Sequence, residues 1–163
     1  MNSDKTIEKI YRILNDVTPL KTDCGNLCGN ECCKGDDSIG MILFPGEEKR
    51  FSDEKSFKIL NLNEERKVVV CSGKCNRNLR PISCRIFPLF PALVDGEIYV
   101  IDDPRASGVC PLLYDEIKLE KKFENAIYKV GLEMTKNEDT RVFLENLTKE
   151  ISDIISMQYE LFK

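Results

Sequence analysis

Histidine is absent from this 163-residue chain, which excludes every mechanism that needs an imidazole. Ser-His-Asp triads, Cys-His dyads, HExxH proteases, mixed cysteine-histidine zinc fingers and two-His-one-carboxylate iron sites all fall away. An excess of positive charge is also lacking: 24 Lys and Arg stand against 28 Asp and Glu, a formal charge of −4. Bulk electrostatics therefore give no reason to expect a polyanionic partner, so nucleic acid is not expected. Long apolar runs are missing too. Residues 1 to 10 mix charges among apolar side chains, which argues against a signal peptide, and no later run suits a bilayer span, so no membrane association is expected. There is no internal repeat, low-complexity tract or nucleotide-binding glycine loop. With 42% hydrophobic and 32% charged residues, the composition suits one domain over residues 1–163. The expected location is cytoplasmic.

What is present in quantity is cysteine. All eight lie between Cys24 and Cys110. A reducing compartment leaves such residues as thiols or metal ligands, whereas an oxidising one pairs them. Buried free thiols, disulfides and a redox thiol pair are the competing readings.

Residues 4 to 17 carry Ile7, Ile10, Tyr11, Leu14 and Val17 at helical spacing, with Ser3 as N-cap and Pro19 closing the segment. Residues 22 to 40 collapse into Gly, Asn, Asp and Cys, which predicts irregular chain carrying the first cysteines. After the apolar residues 41 to 44, the charged stretch from 47 to 62 reads as a broken helix. Lys67 to Cys71 is β-branched and reads as a strand. Asp95-Gly96 between two apolar runs predicts a β-hairpin over residues 90 to 101. Beyond Pro111, apolar residues from Leu119 to Met134 and from Phe143 to Phe162 predict a helical hairpin divided by residues 136 to 139, packed on the cysteine-bearing part as scaffold.

The first cluster reads Cys24-x3-Cys28-x3-Cys32-Cys33, the second Cys71-x3-Cys75, with Cys84 and Cys110 single. Four thiolates satisfy a tetrahedral zinc ion or a cubane iron-sulfur cluster, so eight permit two such sites, or two zinc ions. On a regular helix Cys24 and Cys32 would stand roughly 12 Å apart along the axis. Sulfurs sharing one zinc must lie within about 4 Å of each other. Sharing therefore requires the chain to wrap, and Gly25, Gly29 and Gly35 are placed to allow it. The adjacent Cys32 and Cys33 direct their side chains differently, which suits two neighbouring sites.

Charge adds a second argument. No Asp or Glu lies between Arg66 and Val94, while Arg66, Lys67, Lys74, Arg77, Arg80 and Arg85 do, interleaved with Cys71, Cys75 and Cys84. Nearby cations favour thiolates, although a zinc site and an iron-sulfur site carry the same net charge, so this does not name the metal. Without the cysteines, a solvated basic face or an anion patch would be the plainer reading.

The stretch DCGNLCGNECCKG over residues 23 to 35, followed by RPISCRIFP over 80 to 88, resembles the YkgJ-type family of zinc- or iron-chelating proteins. Its pattern is a CxxCxxCC cluster, then RPxxCRxF, then a last cysteine. The resemblance covers about residues 22 to 112, and more distantly it is similar to the cysteine module of flagellin lysine N-methylases. It implies chelation by Cys24, Cys28, Cys32, Cys33, Cys71, Cys75, Cys84 and Cys110. The first spacings are x3 here, where the family has x2.

Arg80 and Arg85 flank Cys84 and, besides balancing thiolate charge, offer paired donors to the carboxylate or phosphate of a cofactor. Asp102-Asp103-Pro104-Arg105 reads as a turn with an internal ion pair rather than an acid-base pair. Ser52-x-x-Lys55 is a chance match to a Ser-Lys pattern. The expected fold is α+β: a small antiparallel sheet and cysteine-rich loops around a metal centre, packed with an N-terminal helix and a C-terminal helical hairpin. Residues 1–21, 22–112 and 113–163 are the helix, metal-binding core and hairpin. The expected function is binding of zinc or an iron-sulfur cluster in a structural or electron-transfer role, with metal ions, and a protein where one is needed, as partners. The alternative is a protein-modifying enzyme of the lysine N-methylase type, or a component of one, which predicts an open coordination position or a pocket beside Arg80, Arg85 and Asp102.

Overall fold

Spacing alone decides the first element. Ile7, Ile10, Tyr11 and Leu14 recur at the helical repeat, and all four are buried where α1 (Ser3–Ile13) and the turn after it meet the core. The computed structural model describes residues 3–34, 40–52, 54–63, 66–71, 73, 76–114 and 117–161. Cys75, Lys74, Gly35 and Phe162 lie outside them.

The fold is α+β, with two small antiparallel sheets among the described residues where the sequence suggested one. After α1 comes the single helical turn α2 (Gly25–Cys28), then a 3-10 turn at Glu31–Cys33. The first cysteine cluster is thus not irregular chain as expected. Gly29 closes α2 with φ 60°, and Asn30 follows with φ 60°. This pair of left-handed residues reverses the chain between two short turns, so helical hydrogen bonding survives locally without one long axis.

The first sheet consists of β1 (Met41–Ile42), β2 (Phe57–Asn61) and β3 (Lys67–Cys71), with β3 central. The broken helix expected over residues 47 to 62 is a 3-10 turn, Glu47–Arg50, followed by strand β2. The correction has a tertiary cause. Residues from Phe57 to Asn61 pair in register with Cys71 to Lys67, and Phe57 meets Phe51 edge-to-face at 5.0 Å in a satellite apolar cluster. Pairing outweighs local preference, as strand propensity is largely contextual.

Helix α3 (Ile82–Ile86) leads into the second sheet, β4 (Leu89–Val94) and β5 (Glu97–Asp102). Asp95 and Gly96 join them with φ 50° and 82°, the two positive values that a two-residue hairpin turn requires. The expected ion pair in the turn after β5 is present: buried Asp103 takes Arg105 Nε at 2.9 Å and Nη2 at 2.6 Å.

Helices α4 (Lys121–Met134) and α5 (Glu138–Leu161) follow. Asn137 caps α5 by accepting from the Thr140 amide at 3.1 Å. Both helices lie against β4, and Thr148 Oγ1 accepts from the Leu93 amide at 3.0 Å. The scaffold role expected of this hairpin is therefore directed at β4 and β5 and at α1, not at the cysteines. The main core joins Ile10, Leu14, Phe44, Phe90, Phe123, Ile127 and Leu144, and contains no cysteine. The cysteine-bearing segments hang on its edge.

Candidate metal centre

Three segments meet at one small cavity of about 60 Å³, whose lining includes Cys24, Cys28, Cys32, Cys84 and Cys110. Each arrives by a different local device. Cys24 and Cys28 bracket the turn of α2, and the Cys28 Sγ faces the Cys24 carbonyl at 3.9 Å. Cys110 packs with Ala106 and Leu112 in a small apolar cluster that Cys24 and Phe87 also join.

Cys84 is placed by α3. Ile82 and Ile86, one turn apart, anchor one face of α3 in the main core at 0% and 3% exposure. Cys84, two residues from each, is directed to the opposite side and the cavity. The helix is fixed by a carboxylate from elsewhere: buried Glu47 accepts from the Ile82 amide at 2.7 Å, from the Phe44 amide at 2.9 Å and from the Tyr11 hydroxyl at 2.6 Å. Burial pushes the Glu47 carboxyl up, against those hydrogen bonds and the Arg50 charge. The sequence reading missed Glu47 and Tyr11, because a glutamate in a charged stretch looks like surface and a tyrosine on an apolar stripe looks like core.

The RPxxCRxF segment has a mechanical explanation. Pro81 precedes the first turn of α3. Arg85 donates through Nε to the Arg80 carbonyl at 2.8 Å, and through Nη2 to the Asn78 and Arg77 carbonyls at 2.9 and 3.2 Å. A further contact runs from its Nη1 to the Leu14 carbonyl at 3.5 Å. Arg85 therefore ties the turn Arg77–Leu79 and the end of the first helical segment to α3. Arg77, Arg80 and Arg85 all line the cysteine cavity, whereas Asp102 does not. Arg77 also meets Asp23 at 3.6 Å. The other described cations of the basic stretch are engaged elsewhere, Arg66 with Glu150 at 2.5 Å and Lys67 with Glu48 at 2.8 Å.

The thiols sense one another. Burial pushes Cys24 up, Asp23 and Cys28 add to this, and Arg80 and Arg77 oppose it. Cys110 is raised by burial and further by Cys24 and Cys28. Cys32 and Cys33 share a hydrogen bond that raises Cys32 and lowers Cys33, and Arg80 also draws Cys33 down. All the described cysteines are free thiols.

Cys33 and Cys71 are not among the residues lining the cavity. Cys71 ends β3 opposite Phe57, beside the satellite apolar cluster. The chain after it does return to the first cluster: a Cβ added at Gly73 would stand 3.2 Å from the Cys33 carbonyl oxygen. Among the described residues no three Cys, Asp or Glu are grouped as a ligand set for one ion. The structure thus gathers five of the eight predicted cysteines at one cavity, leaves Cys33 and Cys71 beside it or away from it, and does not describe Cys75. Comparison of the chain with family models, with curated proteins and with solved structures finds no match. Among the described residues no helix is long and apolar enough to cross a membrane.

Proposed function

We propose that this chain is a metal-binding protein whose centre, zinc or an iron-sulfur cluster, is held by cysteine thiolates in a structural or electron-transfer role. The observation that carries the reading is the convergence of Cys24, Cys28, Cys32, Cys84 and Cys110, from three separate segments, on one small cavity. An all-sulfur donor set fits a soft or borderline metal, and Arg77, Arg80 and Arg85 at the same cavity offset the negative charge of thiolate ligands.

Four of the five cavity cysteines would supply the ligands of a first centre, and the fifth with Cys33, Cys71 and Cys75 would make the second set of four when a second ion binds. Zinc would supply a cross-link between the three segments, and an iron-sulfur cluster a one-electron couple. The reading is in keeping with the resemblance to the YkgJ-type chelating family and with thiols kept reduced in a cytoplasmic setting. Metal ions are the partner it requires, and the net charge of −4 gives no reason to expect nucleic acid.

Elemental analysis and an absorbance spectrum of protein isolated anaerobically test it. Brown protein absorbing near about 400 nm identifies iron-sulfur, and colourless protein containing zinc identifies the other metal. Cys84→Ser and Cys110→Ser are expected to lower metal content per chain. A folded, reduced, freshly isolated sample without bound transition metal would overturn the reading.

A further inference from the structure

A second concavity, open to solvent and of about 540 Å³, shares Asn15 and Arg85 with the first and is otherwise lined by Glu8, Tyr11, Arg12, Arg50 and Asn78. Its size is that of a small-molecule site. Three guanidinium groups gather there. Arg50 stands 3.9 Å from the centroid of the Tyr11 ring, and Arg85 stands 4.8 Å from the same centroid. Solvated arginines ordinarily spread apart, but these two are held together. Arg85 is pinned by the carbonyls of residues 77 to 80, and the ring that carries Arg50 is fixed by the bond from the Tyr11 hydroxyl to buried Glu47.

Two carboxylates face the group. Glu8 meets Arg12 at a loose 3.8 Å, and Glu47 lies beneath Tyr11. Arg50 makes no ion pair among the described residues. Among the residues that line the concavity, three cations stand against one carboxylate, Glu8, with Asp16 at its rim on Asn15, a local positive excess on a chain whose formal charge is −4. Most of the Arg85 N–H groups are engaged by backbone carbonyls and the Asn15 side-chain amide donates to Asp16 at 2.9 Å, so the chief donors at the concavity are those of Arg50 and Arg12.

We propose that this concavity binds the phosphate or carboxylate group of a small molecule, gripped by Arg50 and Arg12 over the Tyr11 ring, with Arg85 as a fixed charge behind it. Guanidinium suits such a group because its paired N–H donors match two oxygens of the ligand. The site does not depend on a metal, since Arg50 and Arg12 do not line the cysteine cavity. Asn15 and Arg85 line both, so a bound anion would sit next to the thiols.

Calorimetric titration of the protein as isolated, with inorganic phosphate and separately with acetate at constant low ionic strength, tests the proposal. Saturable millimolar or tighter binding of at least one anion is expected, weakened about tenfold or more in Arg50→Gln. Arg50→Lys is expected to recover part of the loss, because it restores charge without the fork. Lys129→Gln, on an exposed residue of α4, is the control and should leave affinity unchanged. Tighter phosphate assigns a phosphate-bearing ligand, and tighter acetate a carboxylate-bearing one. Should Arg50→Gln fail to give a wild-type circular dichroism spectrum, Arg12→Gln carries the same test on an exposed side chain. Absence of saturable binding of both anions, or binding unchanged in the folded arginine variants, overturns the proposal. Metal content measured on the same samples keeps this outcome separate from that of the cysteine centre.

Discussion

Cys84 and Arg85 are neighbours in the chain, yet one directs a thiol at a cavity while the other staples backbone carbonyls of residues 77 to 80. Residue type showed that a thiol and a guanidinium were present; only the turn of α3 decided which way each points. The Asp103–Arg105 pair was legible beforehand because both partners lie in one turn. Glu47 was not, because its donors come from residues 11, 44 and 82. Glu133 is a similar case. Lys136 meets its Oε2 at 2.6 Å, and Lys9 approaches Oε1 at 3.1 Å as an ion pair. Burial pushes its carboxyl up, but the two lysines outweigh burial and hold it below the usual carboxylate range. A depressed native pKa stabilises the fold above the unfolded value, about 4.3, and that contribution is lost as pH falls through the native value. Glu133→Gln should therefore be less stable than wild type at neutral pH, by no more than about 1 kcal/mol because both lysines are half exposed, and the gap should close below roughly pH 4. Urea midpoints across that range check the sign.

At the scale of elements, periodicity read α1, α4, α5 and the β4–β5 hairpin directly, since each buries one stripe or alternates about a two-residue turn. It failed on β2, whose charged, interrupted sequence has no clean repeat and becomes a strand by pairing with β3. Periodicity also could not show how closely α4 approaches the hairpin. A Cβ at Gly131 would stand 2.7 Å from Ile98 Cγ2 and 3.1 Å from Pro91 Cβ. Alanine normally gains up to about 1 kcal/mol over glycine within a helix. Here overpacking, which costs about 1–3 kcal/mol, should dominate. Gly131→Ala is thus expected to destabilise the protein, and Ile98→Ala should cost less in that background than in wild type. A double-mutant cycle in urea measures the coupling, and additive effects would contradict the close approach.

Across the whole molecule, apolar packing and thiol chemistry occupy different places. The main core runs through α1, α3, β4, β5, α4 and α5 without a cysteine among the described residues, and the cavity thiols sit at its edge, on short turns and on the outer side of α3. If the cavity holds the proposed metal, its removal should therefore be felt locally. Hydrogen exchange of metal-stripped, reduced protein is expected to lose protection in residues 22–34 and 106–113 relative to protein as isolated, while α4, β4 and β5 keep theirs. Uniform loss would mean that the centre supports the entire fold.

Composition and spacing alone determined the α+β class, the terminal helices, the Asp95-Gly96 hairpin and the absence of imidazole chemistry. These depend on contacts between residues close in sequence, or on which residue types exist at all. Tertiary structure decided which cysteines share a cavity, that Arg77, Arg80 and Arg85 face it, and that Arg12 and Arg50 gather with Arg85 on Tyr11. Those meetings join residues tens of positions apart, and a side chain's direction in space is set by the packing of its whole element, which no local pattern encodes.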